Sequence, residues 1–291
     1  AAPCEGDCCE EGERCAYGGC IVDLGPCTSN DDCAGDSYCD DEGICTPYET
    51  PEDVVNDPEC ERPIVIGEFT PDEQCRWNGP SDDGPFSTWS NVYSAPMVAD
   101  FDLDDDPDVL APSVVISTFA SSRDGGILRI LDGRTCTEQA SLTDPADRLV
   151  YASNFAIGDL DGATDGRPEI VAAALTGRES AGGLIAFTYD QELGTFRRLW
   201  YGRRCDLADE PRHIPNRWSE NNGPSMYDLN DDGVPEVLFS RFVYDANGCL
   251  LNPSSSYTAY LGLGLFAIAS DVDNDGQPEL IEPNGVFAWN D

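Results

Sequence analysis

This chain repeats one acidic stretch, which is most regular at Asp271-Val272-Asp273-Asn274-Asp275-Gly276-Gln277-Pro278-Glu279. Oxygen-bearing side chains stand at positions 1, 3, 5 and 9, and a glycine stands at position 6, where a tight loop must turn sharply. Ca²⁺ binds about six to eight oxygen ligands, and a short loop of this pattern turns alternate side chains inward to supply them. The stretch therefore predicts a calcium loop, and the apolar Leu280-Ile281 after it predicts that the loop opens a strand.

The pattern occurs in three further copies, which begin at Asp100, Asp159 and Asp228. Each copy has a proline directly before its last acid, and a short run of apolar or small residues leads into each copy. The first copy has Asp105 where glycine is expected, the second has two additional residues, and the third has Asn230 in place of a carboxylate. A single copy could be a solvated acidic turn, whereas four copies with this shared detail indicate a repeat.

The composition restricts the environment and the partners of the protein. Its 291 residues carry a formal net charge of -40, and all 16 basic residues are arginine. Such a surface repels nucleic acids and anionic membranes, so neither is expected as a partner. No apolar run has the length of a membrane helix, and the first residues, Ala1-Ala2-Pro3, suit a secreted protein after removal of its signal.

The 14 cysteines predict an oxidising compartment and a disulfide framework. Nine of them lie in residues 1–47, which have few apolar residues for a core, and the last four follow a C-x5-C-x5-C-x5-C spacing. A zinc site is the alternative, but it would want C-x2-C pairs and usually histidine. The spacing leaves the connectivity open. The predicted disulfide cysteines are Cys4, Cys8, Cys9, Cys15, Cys20, Cys27, Cys33, Cys39, Cys45, Cys60, Cys75, Cys136, Cys205 and Cys249.

Three segments are predicted: a disulfide-rich module over 1–47, an acidic, proline-rich linker over 48–61, and a repeat domain over 62–291. In the repeat domain, short apolar runs alternate with turn residues, and no helical periodicity is present. Such strands, recurring with the loops, predict an all-β fold made of propeller blades. Strands are predicted over 64–69, 108–117, 126–131, 169–175, 183–189, 196–201 and 285–289.

The four loops and their apolar flanks resemble the FG-GAP/VCBS repeats, which build integrin-α-like β-propellers and many secreted bacterial proteins. The resemblance covers about residues 90–291 and implies one structural Ca²⁺ in each loop, up to four in all. The side-chain ligands that it implies are Asp100, Asp102, Asp104 and Asp108; Asp159, Asp161, Asp165 and Glu169; Asp228, Asn230, Asp232 and Glu236; and Asp271, Asp273, Asp275 and Glu279. A backbone carbonyl is implied at position 7 of each loop: Asp106, Arg167, Val234 and Gln277. The cysteine-rich head loosely resembles small disulfide modules of secreted bacterial surface proteins.

About four blades are visible, the last one incomplete, whereas such propellers usually have about seven. Either the chain belongs to a longer protein, or strands of another subunit complete the sheet. The segment 64–69 could also close the ring from the amino-terminal side. An unclosed sheet edge is a template for strand addition.

Six of the arginines lie within 197–217, interleaved with aromatic residues. One interpretation is a docking patch for an acidic glycan or subunit; the other is pairing with acids of the same chain. The residues assigned to the patch are Arg197, Arg198, Trp200, Arg203 and Arg204. His213, the single histidine, is expected to have a structural role, because no partner for a general base is evident.

No nucleophile, zinc or phosphate-loop motif is present, so we expect no enzyme. The sequence predicts a secreted or surface protein, stabilised by calcium, that functions in adhesion, matrix building or assembly into a larger structure such as a filament. Its expected partners are a protein or glycan at the cell surface, or further copies of itself. The alternatives are a carbohydrate-active enzyme and a lectin.

Overall fold

The computed structural model of the protein describes residues 13–16, 19–29, 32–33, 37–40, 43–47, 72–80, 84, 86–104, 109–122, 124–162, 167–175, 181–210, 212–214, 223–230, 232–252, 266–273, 277–282 and 285–288. The chain divides into two units, Ala1–Pro71 and Asp72–Asp291, and each is described by itself. The strand predicted over 64–69 lies outside the described residues. No described residue belongs to a helix long and apolar enough to cross a membrane.

The described part of the first unit contains two short hairpins and two disulfides. The hairpins are formed by β1 (Glu13–Ala16) with β2 (Gly19–Val22), and by β3 (Ser37–Cys39) with β4 (Cys45–Pro47). The regularly spaced cysteines pair alternately, as Cys27–Cys39 and Cys33–Cys45. Cys27 and Cys45 are buried, as expected where disulfides supplement a small core. Cys20 is also disulfide-bonded, while Cys4, Cys8, Cys9, Cys60 and the side chain of Cys15 lie outside the described part.

The described part of the second unit contains antiparallel strands and a 3-10 turn at Pro145–Asp147. Two disulfides, Cys75–Cys136 and Cys205–Cys249, join segments that are 61 and 44 residues apart. The strands are β5 (Asn91–Val92), β6 (Met97–Ala99), β7 (Ser113–Phe119), β8 (Ile127–Asp132), β9 (Glu138–Ser141), β10 (Phe155–Gly158), β11 (Glu169–Leu175), β12 (Ala181–Asp190), β13 (Thr195–Tyr201), β14 (Ser225–Tyr227), β15 (Glu236–Phe239), β16 (Phe242–Tyr244), β17 (Ile268–Ser270), β18 (Glu279–Glu282) and β19 (Gly285–Ala288).

These strands form four sheets in which neighbours along the chain pair with one another. The first sheet is β6-β7-β8-β9, with β5 also paired to β7; the others are β10-β11-β12-β13, β14-β15-β16 and β17-β18-β19. The first strands of successive sheets are neighbours in space: β6 lies beside β10, β10 beside β14, and β14 beside β17. The sheets therefore follow one another in space in the order of the sequence.

The second sheet is buried on both faces. Successive side chains of a strand point to opposite faces. Accordingly, Ile170 and Ala172 of β11 pack in a core shared with the first sheet, whereas Val171 and Ala173 pack in a core shared with the third. A smaller core, which includes Leu238 and Leu280, joins the third and fourth sheets. Burial on both faces explains why residues 170–175 of β11 are an unbroken run of apolar residues rather than an alternating one.

The all-β class is confirmed over the described residues, which contain no α-helix. The strands predicted over 126–131, 169–175, 183–189 and 196–201 correspond to β8, β11, β12 and β13. The strand predicted over 108–117 is wrong at its start, because β7 begins only at Ser113. Pro112 directly precedes it and has no amide hydrogen to donate to the strand ladder.

A fully buried arginine organises the first sheet. Arg129 is 1% exposed, and its guanidinium donates to Glu138 (2.7 Å), Ser141 (2.8 Å) and Thr118 (2.9 Å). Burial alone would raise the pKa of Glu138, but hydrogen bonds from Ser141 and Trp77 and the charge of Arg129 hold it below its ordinary value. The pair is therefore ionised and fully hydrogen-bonded, as a buried ion pair must be.

Replacement of Glu138 by Gln should destabilise the protein strongly, because it leaves the buried Arg129 without a counter-charge. Loss of one partner of a buried pair costs about 3–5 kcal/mol. The matched control is Glu73→Gln, which removes the exposed ion pair between Glu73 and Arg76 and should cost less than about 1 kcal/mol. Urea unfolding of both variants checks this, and equal losses would contradict it.

Candidate metal centre

Each acidic loop joins the first strand of a sheet to its second strand. In the second, third and fourth loops the last acid is also the first residue of the second strand, and it is buried. Its carboxylate accepts a hydrogen bond from the backbone amide of the residue that follows the first aspartate. The three bonds are Leu160 N to Glu169 Oε2 (2.9 Å), Leu229 N to Glu236 Oε2 (2.9 Å) and Val272 N to Glu279 Oε2 (3.0 Å).

The second loop brings three carboxylates together. Asp159, Asp161 and Glu169 each offer an oxygen, and these oxygens lie within 4.8 Å of one another. The Gly162 amide holds Asp159 Oδ1 at 2.8 Å, and the Thr188 hydroxyl donates to Glu169 Oε1 at 2.9 Å. Both aspartates are exposed while Glu169 is buried, so the site is open to solvent on one side. Converging, all-oxygen donors of this kind suit a hard divalent cation.

The fourth loop repeats this arrangement with Asp271, Asp273 and Glu279, whose oxygens also lie within 4.8 Å of one another. The two aspartates are exposed and Glu279 is buried, as in the second loop. Asp165 and Asp275, the ligands predicted at position 5 of these two loops, lie outside the described residues.

The third loop directs its oxygens toward its own backbone. Asp228 accepts the amides of Asp232 (3.2 Å) and Gly233 (2.8 Å), and Asn230 Oδ1 also accepts the Asp232 amide (2.9 Å). Gly233 has a φ of 86°, which is the left-handed conformation that the glycine position was expected to require. The loop is closed like the others, but its carboxylates do not converge to the same extent as those of the second and fourth loops.

The first loop differs most from the prediction. Asp100 accepts the amides of Asp102 (2.9 Å) and Ala111 (2.8 Å). Asp102 is not directed toward an open ligand position; its Oδ2 is bound by Arg167 of the second loop at 2.9 Å. Asp104 is exposed beside them. Asp106 and Asp108, also predicted as ligands, lie outside the described residues.

The buried glutamates carry an electrostatic cost that a cation would relieve. Burial raises the pKa of Glu169, and the charges of Asp161 and Asp159 raise it further, against the hydrogen bonds from Leu160 and Thr188. Burial likewise raises the pKa of Glu236, with the charges of Asp232 and Asp228 adding to it. Like charges at about 4 Å repel by about 1 kcal/mol in water and about 4 kcal/mol at an effective dielectric constant of 20.

The Ca²⁺ that the sequence resemblance implies fits the second and fourth loops. Their donors are all oxygen, the donors converge, and the glutamate that ends each loop is buried. The residues that would hold the ion are Asp159, Asp161 and Glu169 in one loop, and Asp271, Asp273 and Glu279 in the other. A further group, Cys27, Cys33 and Cys45, offers no thiolates, because all three sulfurs are in disulfides.

The arginines assigned to a docking patch have partners within the chain. The ion pairs are Arg197–Asp190 (2.6 Å), Arg198–Asp147, Arg203–Glu210 (3.4 Å) and Arg204–Asp206 (2.6 Å). Trp200 is buried, and its indole donates to the Ala246 carbonyl at 2.8 Å. These contacts agree with the alternative interpretation, in which the arginines pair with acids of the same chain.

The comparisons with known proteins give distant structural likenesses. No protein-family model and no curated protein matches the chain. The V. cholerae biofilm matrix protein Bap1 matches with 22% identity over 72% of this chain and 37% of its own, at a TM-score of 0.41. The exotype rhamnogalacturonan lyase YesX matches with 18% identity over 64% of this chain and 33% of its own, at a TM-score of 0.42. A Bacillus licheniformis rhamnogalacturonan lyase matches with 16% identity over 66% of this chain and 44% of its own, at a TM-score of 0.37. The chain thus spans less than half of each of these structures, and no family assignment follows.

His213 lies in a largely apolar environment. Its Nδ1 is 2.5 Å from the hydroxyl of the buried Tyr244, and its ring packs edge-on against Phe242 with 4.7 Å between the ring centroids. Burial raises the pKa of Tyr244, so the phenol is neutral and can donate to Nδ1. Burial, together with the charge of Arg204, lowers the pKa of His213 from 6.5 to about 4. The histidine is therefore a neutral packing residue at physiological pH.

Acidification should weaken this contact. The unfolded chain binds a proton at His213 below a pH of 6.5, while the folded chain resists it down to about 4, so stability is lost as the pH falls through this interval. We expect the Tm advantage of the wild type over His213→Gln to shrink between these pH values. The remaining titratable groups are the same in both proteins. A difference in Tm between wild type and His213→Gln that stays constant over this pH interval would contradict the prediction.

Proposed function

We propose that this protein is an extracellular interaction or structural protein whose β-sheets are stabilised by calcium, and that it is not an enzyme. The observation that carries the proposal is the repeated loop geometry. In three sheets a buried glutamate closes the loop onto a backbone amide, and in two of them a pair of exposed aspartates converges on that glutamate. Four disulfides among the described residues favour an oxidising, extracellular location.

A β-propeller is the architecture that we propose for the second unit. Its support is the succession of sheets, in which first strands are neighbours and each interface between consecutive sheets holds its own apolar core. Sheets that bury both faces against their neighbours are typical of propeller blades. The number of blades and the way in which the ring closes belong to the same proposal.

Calcium would act by joining the first two strands of a sheet. A site that binds only the folded state adds about 2.7 kcal/mol when free calcium is a hundredfold above the dissociation constant. Extracellular modules commonly bind calcium at about 10⁻⁴–10⁻³ M. Two such sites would therefore contribute a large part of the stability of an ordinary domain, which is about 5–15 kcal/mol.

A cavity is the support for a second candidate function, that of a lectin. A cavity of about 560 Å³ lies beside the first loop; its wall includes Leu103, Asp104, Val114, Asp132 and Gln139. Its volume is within the range of small-molecule sites. Hydrogen bonds from Thr135 and Arg134, and the charge of Arg134, lower the pKa of Asp132, so this acid stays ionised and suits sugar binding better than proton donation.

Removal of calcium should destabilise the protein. We expect chelation to lower the Tm by about 10 °C or more relative to about 10 mM Ca²⁺, from two sites of the size given above. Magnesium at the same concentration is the control, because it dehydrates reluctantly and demands a stricter geometry. A Tm that does not respond to chelation would reject the calcium function.

Assembly is tested separately by sedimentation velocity in Ca²⁺ and after chelation. Large species that dissociate on chelation would support a matrix-building or filament-forming role. A monomer in both conditions would reject self-assembly. Glycan-array binding would then distinguish the lectin from an adhesin that recognises a protein.

A further inference from the structure

The side chain of Arg167 leaves the second loop and enters the first. Its Nη2 donates to Asp102 Oδ2 at 2.9 Å and to the Asp102 carbonyl at 3.1 Å, and its Nε donates to the Phe101 carbonyl at 3.2 Å. The guanidinium carbon lies 5.7 Å from the ring centroid of Tyr189. One cation thus binds a carboxylate and two carbonyls of the first loop, which are the classes of oxygen that a calcium ion would use.

This contact is shielded from solvent. The side chains of Arg167 and Asp102 are 9% and 19% exposed. The second oxygen of Asp102, Oδ1, is buried and has no hydrogen-bond partner among the described residues. At the same loop position, Asp161 and Asp273 are exposed. The first loop has therefore buried the acid that the second and fourth loops leave open.

Position 7 of a loop faces the preceding loop in at least one other case. Arg167 occupies position 7 of the second loop, and Val234 occupies position 7 of the third. A Cβ placed on Gly162 in the second loop would lie 3.5 Å from Val234 Cγ2. The third loop thus presents the apolar side chain of Val234 to the second loop. The second loop, in contrast, presents the guanidinium of Arg167 to the first loop. The second loop receives no cation from its neighbour through this position.

A calcium ion fits the first loop poorly. It would have to share Asp102 with a buried guanidinium, and two cations at such a distance repel strongly where water is excluded. Asp105 also stands at the position that glycine occupies in the third and fourth loops. A guanidinium, in contrast, is always charged and presents its donors in a rigid fork that matches carboxylate oxygens.

We propose that Arg167 is the built-in cation of the first loop, which keeps its shape without calcium, whereas the second and fourth loops require the ion. The inference rests on the proposed calcium function of those two loops. It also makes the Arg167–Asp102 pair a latch between the first and second sheets that does not depend on calcium.

The test compares two matched substitutions at position 3 of their loops, Asp102→Asn and Asp161→Asn. Tm is measured for each in about 10 mM Ca²⁺ and after chelation. Asp102→Asn leaves Arg167 without its counter-charge, so it should lower the Tm by a similar amount, on the order of 5–10 °C, in both conditions. Asp161→Asn should lower the Tm only when calcium is present, because in its absence the substitution relieves repulsion.

The outcomes separate the inference from the function on which it rests. If Asp102→Asn lowers the Tm only in calcium, or in neither condition, Arg167 is not the cation of the first loop. If Asp161→Asn has no effect that depends on calcium, the proposed calcium function fails. The Tm of Asp102→Asn after chelation still tests the Arg167–Asp102 contact, because that measurement contains no calcium.

Hydrogen exchange of the wild type gives the same answer without a variant, should Asp102→Asn not fold. The amides of Asp102 and Ala111, which donate to Asp100, should keep their protection after chelation. The amides of Leu160 and Gly162 in the second loop should lose theirs. Equal loss of protection in both loops would overturn the proposal.

Discussion

A buried glutamate accepts a backbone amide hydrogen bond across the second, third and fourth acidic loops, and this bond sets the geometry of the strand pair that each of these loops connects. The bond joins Glu169 to Leu160, and its counterparts join Glu236 to Leu229 and Glu279 to Val272. It turns the chain from one strand of the pair into the next, and in the second and fourth loops the preceding aspartates converge on the same glutamate. A buried carboxylate beside other carboxylates is unfavourable unless positive charge is supplied. A cation at these loops would therefore stabilise the fold where its strands meet.

The protein meets this need in two ways. In the second and fourth loops the acids converge and face solvent, as a metal ion from outside would require. In the first loop the positive charge comes from Arg167, which belongs to the neighbouring sheet. Arg129 shows the same use of arginine inside the first sheet, where it is buried against Glu138. In a chain with 56 acids and only 16 basic residues, these buried guanidinium groups are placed where charge must be neutralised without water.

The sequence was sufficient for the features that depend on local pattern. Alternation, turn residues and the acidic repeat predicted β11 with its observed bounds and placed both ends of β8, β12 and β13 to within two residues. The predicted start of β7 at residue 108 was wrong, because Pro112 cannot donate to the strand ladder and β7 begins only at Ser113. Cysteine spacing predicted disulfides but not their pairing, because the pairing depends on which cysteines the folded chain brings together. The contact between Arg167 and Asp102 spans 65 residues, and only the packing of two sheets creates it. No signal in the sequence assigns Thr188 to Glu169 or Asp147 to Arg198.

The anomalous scattering of calcium in a crystal grown with the ion would locate each site. We expect a peak about 2.3–2.6 Å from carboxylate oxygens of Asp159, Asp161 and Glu169, a second peak at Asp271, Asp273 and Glu279, and none at Asp102. If the carboxylates of the second loop showed no peak at millimolar calcium, the loops would be acidic turns, and the stabilisation of this fold would have to come from its apolar cores and disulfides alone.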